Sequence, residues 1–230
     1  MRRTVIPELL DSDAGTPAEI AASLGDLRRI NRWFGGAGTM CDLARRVAVR
    51  TGARDLTLLD VAGASGDIVA EIARRLRPHG IRLRFVLLDR AASHMQHRPA
   101  VVADATRLPF ADNSFDLVGS SLFTHHLEPA QFVEFIHESL RVCRWAALVN
   151  DLRRSPLHLA LVYAGYPLYR SRLTRHDGPA SVRRAYTVEE VRQLLQQTPA
   201  AEVEIENHYL YRMGGIAWKR LPPQEARTRT

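Results

Sequence analysis

The segment 57–69 constrains this chain more than any other. Thr57, Leu58, Leu59, Asp60 and Val61 form an apolar run broken only by Asp60, with β-branched residues at both ends. Residues 62–66 carry no side chain larger than serine, and Ile68, Val69, Ile72, Ala73 and Leu76 then recur at helical spacing. The reading is a buried strand, a tight turn of small residues and the first turns of a helix. Such a unit brings a ligand against backbone N–H groups at the positive end of a helix. Small residues permit that approach. Asp60 adds a charged group beside the turn, so the segment is expected to receive a nucleoside-like cofactor.

The rest of the chain repeats the alternation. Strand 57–61 leads into helix 66–77, then strand 82–88 ending at Asp89, a short helix near 91–97, strand 100–103, a turn at 109–114 and strand 115–121. Helix 129–142 places Phe132, Phe135, Ile136 and Leu140 on one face, and strand 145–152 follows. Short, nearly all-apolar strands alternating with helices imply a parallel sheet covered on both faces. Residues 157–169 read as an apolar, tyrosine-rich helix and 170–184 as a basic loop. Thr187 with Glu190 forms a capping box for a helix to about 197. Strands 202–206 and 209–219, joined around Asn207 and His208, complete an antiparallel hairpin at one sheet edge.

Ahead of the first strand, residues 1–16 read as a frayed arm. Thr16 and Pro17 open a helix carrying Ile20, Leu24, Leu27, Ile30 and Phe34 on one face, and Gly35 and Gly36 stop it. A second helix is expected over 40–50. The organisation expected is an N-terminal helical cap or arm (1–52), a main domain (53–221) whose segment 155–186 covers a substrate, and a flexible tail (222–230).

Composition narrows the class. At 230 residues, 46% hydrophobic and 25% charged, the chain suits one soluble globular domain. The formal charge of +7 raises the question of a nucleic-acid partner. Lys219 is the single lysine among 32 basic residues, however, and the arginines are scattered. That is an arginine bias, not a basic patch, and no nucleic-acid partner is expected. Cys41 and Cys143 form no CxxC pair, so neither a disulfide scaffold nor a zinc site is expected, and no metal is assigned. With no signal-like or membrane-spanning apolar run, the expected location is cytoplasmic.

Acids at successive strand ends carry the chemistry: Asp60, Asp89 and Asp104, followed by Asn113, Ser114, Phe115, Asp116, Leu117 and Val118 running into Ser120 and Ser121. In open parallel sheets, ligands bind beyond those ends. In this order the residues resemble the class I S-adenosylmethionine (SAM)-dependent methyltransferases. The fold so implied is a Rossmann-like, doubly wound, seven-stranded, mostly parallel α/β sheet with an antiparallel C-terminal hairpin strand. The resemblance implies SAM as cofactor. Asp60 matches the family's acid and Gly66 its last glycine. Ala62 and Ala64 stand where glycines are usual, with Gly63 between them, which implies a backbone held at negative φ at 62 and 64. Asp89, with Arg90 beside it, falls where the family binds the ribose hydroxyls. Asp104 and Ala105 fall at the adenine, and Ser120 and Ser121 beside the methyl donor. Arg32, near the glycine pair, is a candidate for the methionine carboxylate. A dinucleotide fingerprint would need glycine at Ala62, Ala64 and Asp67, and all three fail.

Methyl transfer from a sulfonium needs alignment and, for an oxygen acceptor, a group to remove a proton. His125 and His126 follow the fourth strand directly, and this His-His-Leu stretch resembles quinone-biosynthesis and natural-product small-molecule methyltransferases. His126 is the first candidate, with His125, His176 and Asp151 as rivals. Either histidine of the pair could instead cap or pack under the next helix, and Asp151 could simply pair with Arg153 or Arg154. Asp116 is expected to be structural. Tyr163, Tyr166 and Tyr169 could wall a flat acceptor, and the arginines of 170–184 could attract an anionic one. The function expected is methylation of a small molecule, at a phenolic or other hydroxyl oxygen. The alternatives are an RNA or protein methyltransferase and a non-catalytic SAM-binding partner subunit.

Overall fold

The computed structural model describes residues 1–12, 14–63, 65–90 and 99–220. Its elements in chain order are α1 (Pro17–Trp33), α2 (Gly36–Thr51), β1 (Asp55–Val61), α3 (Asp67–Leu76), β2 (Arg82–Asp89), β3 (Ala100–Val102), β4 (Phe115–Ser121), α4 (Pro129–Val142), β5 (Cys143–Leu152), α5 (Pro156–Ala164), α6 (Arg172–Arg184), α7 (Val188–Leu195), β6 (Glu202–His208) and β7 (Arg212–Trp218). The seven strands form one sheet in the order β3-β2-β1-β4-β5-β7-β6. β1, β2, β3, β4 and β5 pair in parallel, while β7 runs antiparallel to both β5 and β6. One strand of the terminal hairpin is therefore antiparallel to the rest, and the hairpin closes one edge, as its sequence implies.

Alternation along the strands divides the core into two layers. Leu59, Val118 and Val149 face the layer that includes Phe132, Phe135 and Ile136 of α4 and Val191 of α7. Their neighbours Leu58, Leu117 and Leu148 face the opposite layer, with Met40, Leu43 and Val47 of α2 and Ile72 of α3. Both faces being covered is why the strands read as continuous apolar runs. Asp116, buried at the start of β4, accepts from the Thr57 N–H and Oγ1 at 2.9 Å each, a structural role as expected.

Several boundaries differ from the expectations. α2 begins at Gly36, since Gly35 at φ 78° turns the chain immediately into the next helix. The tyrosine-rich helix stops at Ala164, and Tyr166–Leu168 is a separate 3-10 turn around Pro167. Segment 170–184 is mostly helix, not loop: Ser171 caps α6 by accepting from the Leu173 N–H, despite Gly178 and Pro179 within it. Burial of Leu173, Ala180 and Val182 outweighs the low helix propensity of Gly178 and Pro179. The hairpin turns at 209–211, after Asn207 and His208, with Leu210 and Tyr211 at positive φ. The expected helix near 91–97 and the tail from 222 lie outside the described residues.

The largest difference is the N-terminal arm. It is docked across the C-terminal ends of the strands. The Arg3 guanidinium donates to Arg184 O at 2.8 Å and Leu127 O at 3.0 Å. The Thr4 N–H donates to Arg183 O. The N–H groups of Leu9 and Leu10 donate to the two oxygens of Asp177 at 2.8 and 3.0 Å.

Candidate active site

A cavity of about 550 Å³ opens beyond the C-terminal ends of β1, β2 and β4, roofed by the arm, α1, α5 and α6. Val61, Ala62, Leu88, Asp89, Arg90 and Asp104 line one half. Leu24 and Leu27 of α1, Leu161 and Val162 beyond them, and Tyr169 line the other. Phe123, His125 and His126 stand at the junction, on the turn after β4.

The loop after β1 is shaped for close backbone approach. Ala62 is left-handed at φ 57°, correcting the expectation of negative φ there. Its N–H is committed to Leu88 O at 2.7 Å, which fixes that conformation. Ala64 lies outside the described residues. Gly66, at φ 77°, is the N-cap of α3. At Gly63 a Cβ would lie 2.7 Å from Asp60 Oδ2 and 3.0 Å from Leu87 Cδ2. Gly63→Ala is therefore expected to destabilise the fold by about 1–3 kcal/mol, the usual range for overpacking, and to weaken cofactor binding. Chemical denaturation and cofactor titration of the same variant measure both.

Asp60 lies beneath this loop, almost wholly buried. Burial, and then the like charge of Asp89, push its carboxyl up to about 7. Asp89 ends β2 and, with Arg90, Asp104 and Ala105, reaches the cavity wall. Asp104 Oδ1 accepts from the Thr106 N–H and Oγ1 at 2.8 Å each, and these bonds hold its carboxyl below the ordinary range. Ser120 is fully buried, and its Oγ has no protein partner among the described residues. Ser121 Oγ accepts from Asn150 Nδ2.

The histidine pair is built into a network of carboxylates. Asp151, fully buried at the end of β5, accepts from Thr124 Oγ1 at 2.6 Å, the His125 N–H at 2.9 Å and the Leu152 N–H at 2.7 Å. It also holds His125 Nδ1 at 2.7 Å. Burial opposes its charge, but His125 and these bonds outweigh it and keep Asp151 ionised. His125 is itself buried. Desolvation disfavours the charged ring, while Asp151 and Glu8 favour it more strongly and raise its pKa. His126 Nδ1 lies 2.9 Å from Asp11 Oδ2. Glu8 Oε1 lies 3.6 Å from His125 Nε2 and 3.9 Å from His126 Nε2, and accepts from Ser181 Oγ at 2.8 Å.

Two candidates lie elsewhere. His176 is on the outer side of α6, 43% exposed, with Nδ1 on Asp177. Adjacent residues on a helix diverge by about 100°, so Asp177 faces the cavity and the arm while His176 does not. Arg32 is exposed on α1 and does not line the cavity. Arg28, one turn earlier, reaches the glycine loop through Asp67 at 3.4 Å. The buried guanidinium at the cavity is instead Arg212, whose Nη2 donates to Asn31 Oδ1 at 2.7 Å. Its Nη1 has no partner among the described residues. Glu8, Asp11 and Arg212 were not singled out from the sequence. The only signal for the first two was a pair of acids three residues apart in an otherwise apolar stretch.

A seven-stranded sheet of this order, with a small-residue loop after β1 and acids ending β1 and β2, is the architecture of the class I SAM-dependent methyltransferases. Residues 59–146 match a family model described as a methyltransferase domain. No curated protein matches the chain. Among solved structures, the plantazolicin methyltransferase BpumL in complex with SAH is similar, at 13% identity and a TM-score of 0.67 over 93% of this chain and 95% of that one. The plantazolicin methyltransferase BamL, in complex with a triazolic desmethylPZN analog and SAH, is 10% identical with a TM-score of 0.64 over 88% and 91%. The CMeT domain of the citrinin polyketide synthase reaches 0.52 at 11% identity, over 73% of this chain and 47% of that one. The domain match over 59–146 and the strand order together support a SAM-dependent methyltransferase, with SAM as its cofactor. The left-handed turn at Ala62, the tight Gly63 and the open N-terminus of α3 fit that cofactor.

Proposed function

We propose that the chain methylates a phenolic or other hydroxyl oxygen of a small molecule. The observation that carries this reading is the convergence of Glu8 Oε1, His125 Nε2 and His126 Nε2 on the cavity wall just after β4. SAM supplies a methyl group already activated on a sulfonium. The chain's own tasks are then to align the acceptor, exclude water and deal with the acceptor's proton. Asp60, Gly63, Asp89 and Asp104 orient the cofactor. Arg212 takes over the role expected of Arg32: its Nη1 receives a carboxylate, in the first place that of the methionine moiety. The apolar half of the cavity, from α1 and α5 with Tyr169, excludes water and fits an aromatic body. The Glu8–His125–His126 cluster holds the reacting oxygen and assists the loss of its proton.

A small acceptor is favoured by the cavity's size, within the 300–1,000 Å³ typical of small-molecule sites. The plantazolicin methyltransferases crystallised with desmethylPZN analogs are consistent with it. The net charge lends little to an RNA acceptor, since Arg46, Arg50, Arg74, Arg141 and Arg172 each pair with a carboxylate. No helix among the described residues is long and apolar enough to cross a membrane.

The test is a SAM-consumption screen over phenols, quinols, carboxylates and amines. Turnover of phenols or quinols is the expected result, lowered about 10²–10⁴-fold in His126→Ala and unchanged in His176→Ala. Turnover of amines alone, or full activity in His126→Ala, would contradict the assignment.

A further inference from the structure

We propose that Glu8, His125 and His126 are the ligands of a divalent first-row transition-metal ion, zinc in the first instance, placed where the acceptor oxygen arrives. The proposal rests on the oxygen-methylation reading for its role, and on geometry for the site itself.

The three donor atoms lie within 4.8 Å of one another. Two ligand atoms about 2.1 Å from one ion at a tetrahedral angle are about 3.4 Å apart. The 3.6 and 3.9 Å separations from Glu8 Oε1 to the two Nε2 atoms therefore need to close only slightly.

Each imidazole is already held as a metal-binding histidine is held. His125 Nδ1 is bonded to Asp151 at 2.7 Å and His126 Nδ1 to Asp11 at 2.9 Å. A carboxylate at Nδ1 fixes the proton there and turns the Nε2 lone pair toward an ion. His125 Nε2, buried and without a hydrogen-bond partner among the described residues, points independently to a missing ligand. A buried polar atom left unpaired is costly unless something meets it.

Charge agrees. Glu8, Asp11 and Asp151 gather three carboxylates around two imidazoles. Arg184, 3.8 Å from Asp11, and Arg212, which feels Asp151, offset part of that charge. Imidazole with carboxylate suits zinc, iron(II) or manganese(II). Cys41 and Cys143 take no part, so the lack of a cysteine pair does not bear on this site. All three ligands line the cavity, which leaves coordination positions open, as catalytic sites require and structural sites do not.

The ion's task follows. An acceptor hydroxyl coordinates and gives its proton to water in the cavity. The coordinated oxygen uses a lone pair to form the O–CH₃ bond. The S–C bond breaks with its electrons on sulfur, and no redox change occurs.

The experiment uses the full chain, stripped with a chelator and titrated with zinc alone by calorimetry and with cobalt(II) by visible spectroscopy. One ion per chain is expected, with cobalt bands of low coordination number. Glu8→Gln and His126→Ala should each weaken binding at least 100-fold, and Asp11→Asn 10–100-fold. Retained circular dichroism and SAM binding show that these variants fold. No stoichiometric binding, or equal binding by His126→Ala, would overturn the site. Full phenol turnover by the stripped chain would overturn the ion's role while leaving oxygen methylation standing. Zinc binding without turnover of any hydroxyl acceptor would leave the site standing and remove the oxygen reading.

Discussion

Glu8→Gln leaves SAM bound within about twofold and lowers turnover by about 10²–10³-fold, the range for losing a group that handles a proton or holds the reacting oxygen. The substitution keeps the side chain's shape and removes its charge. Glu8 comes from the arm, and the cofactor half of the cavity comes from strand ends, so binding and turnover should separate. The loss should fall on kcat more than on KM, because the cluster acts on the reacting oxygen and not on the acceptor's body. Steady-state kinetics with a responsive phenol, beside calorimetry with SAM, measures both. Equal losses in SAM affinity and turnover would mean that the arm merely props the fold.

Asp60→Asn has the second large effect, and it runs in opposite directions for stability and binding. The Asp60 carboxyl is pushed up to about 7 in the folded chain by burial and then by Asp89. An unfolded aspartate titrates near 3.9. For an acid raised on folding, the stabilisation is complete below the unfolded value and is lost as pH rises toward the folded one. Wild type should therefore lose stability between about pH 4 and 7, by up to roughly 4 kcal/mol. Asp60→Asn, which cannot ionise, should gain on wild type over that window and be the more stable form at pH 8. Cofactor affinity moves the other way. The cationic methionine end of SAM favours the ionised carboxylate, so wild-type affinity should fall by up to tenfold per pH unit below 7. The variant should bind weakly at every pH. Denaturation and SAM titration at pH 5, 6, 7 and 8 measure the two trends. Parallel pH profiles for wild type and variant would show that Asp60 is not the group responsible.

The parts legible in the sequence are those governed by local patterning. Leu58 and Leu59, or Leu117 and Val118, face opposite covered layers, so an all-apolar run betrays a buried parallel strand. Asp89 and Asp104 line the cavity because an acid that follows such a run stands at the C-terminal edge of the sheet. What escaped depended on contacts distant in sequence. The arm read as frayed because residues 11–15 are polar or small, yet it is held by Asp177 and Arg184, more than 160 residues away. With it went Glu8 and Asp11, two of the three carboxylates around the histidine pair. Segment 170–184 read as loop because Gly178 and Pro179 disfavour helix locally, while burial of Leu173 and Val182 decides the matter. His125 and His126 could not be ranked from sequence. On the turn after β4 one enters the core against Asp151 and the other stays at the cavity beside Asp11. At Ala62 a small side chain does not set the backbone conformation. Its φ follows from the Leu88 carbonyl its N–H must reach.

Titration calorimetry of SAM into the full chain at pH 8 tests the central claim most directly. The fold, the glycine loop and the acids of β1 and β2 predict a single site per chain, weakened by Gly63→Ala and by Asp60→Asn and untouched by His176→Ala. Absence of SAM binding, or binding indifferent to Gly63 and Asp60, would contradict it.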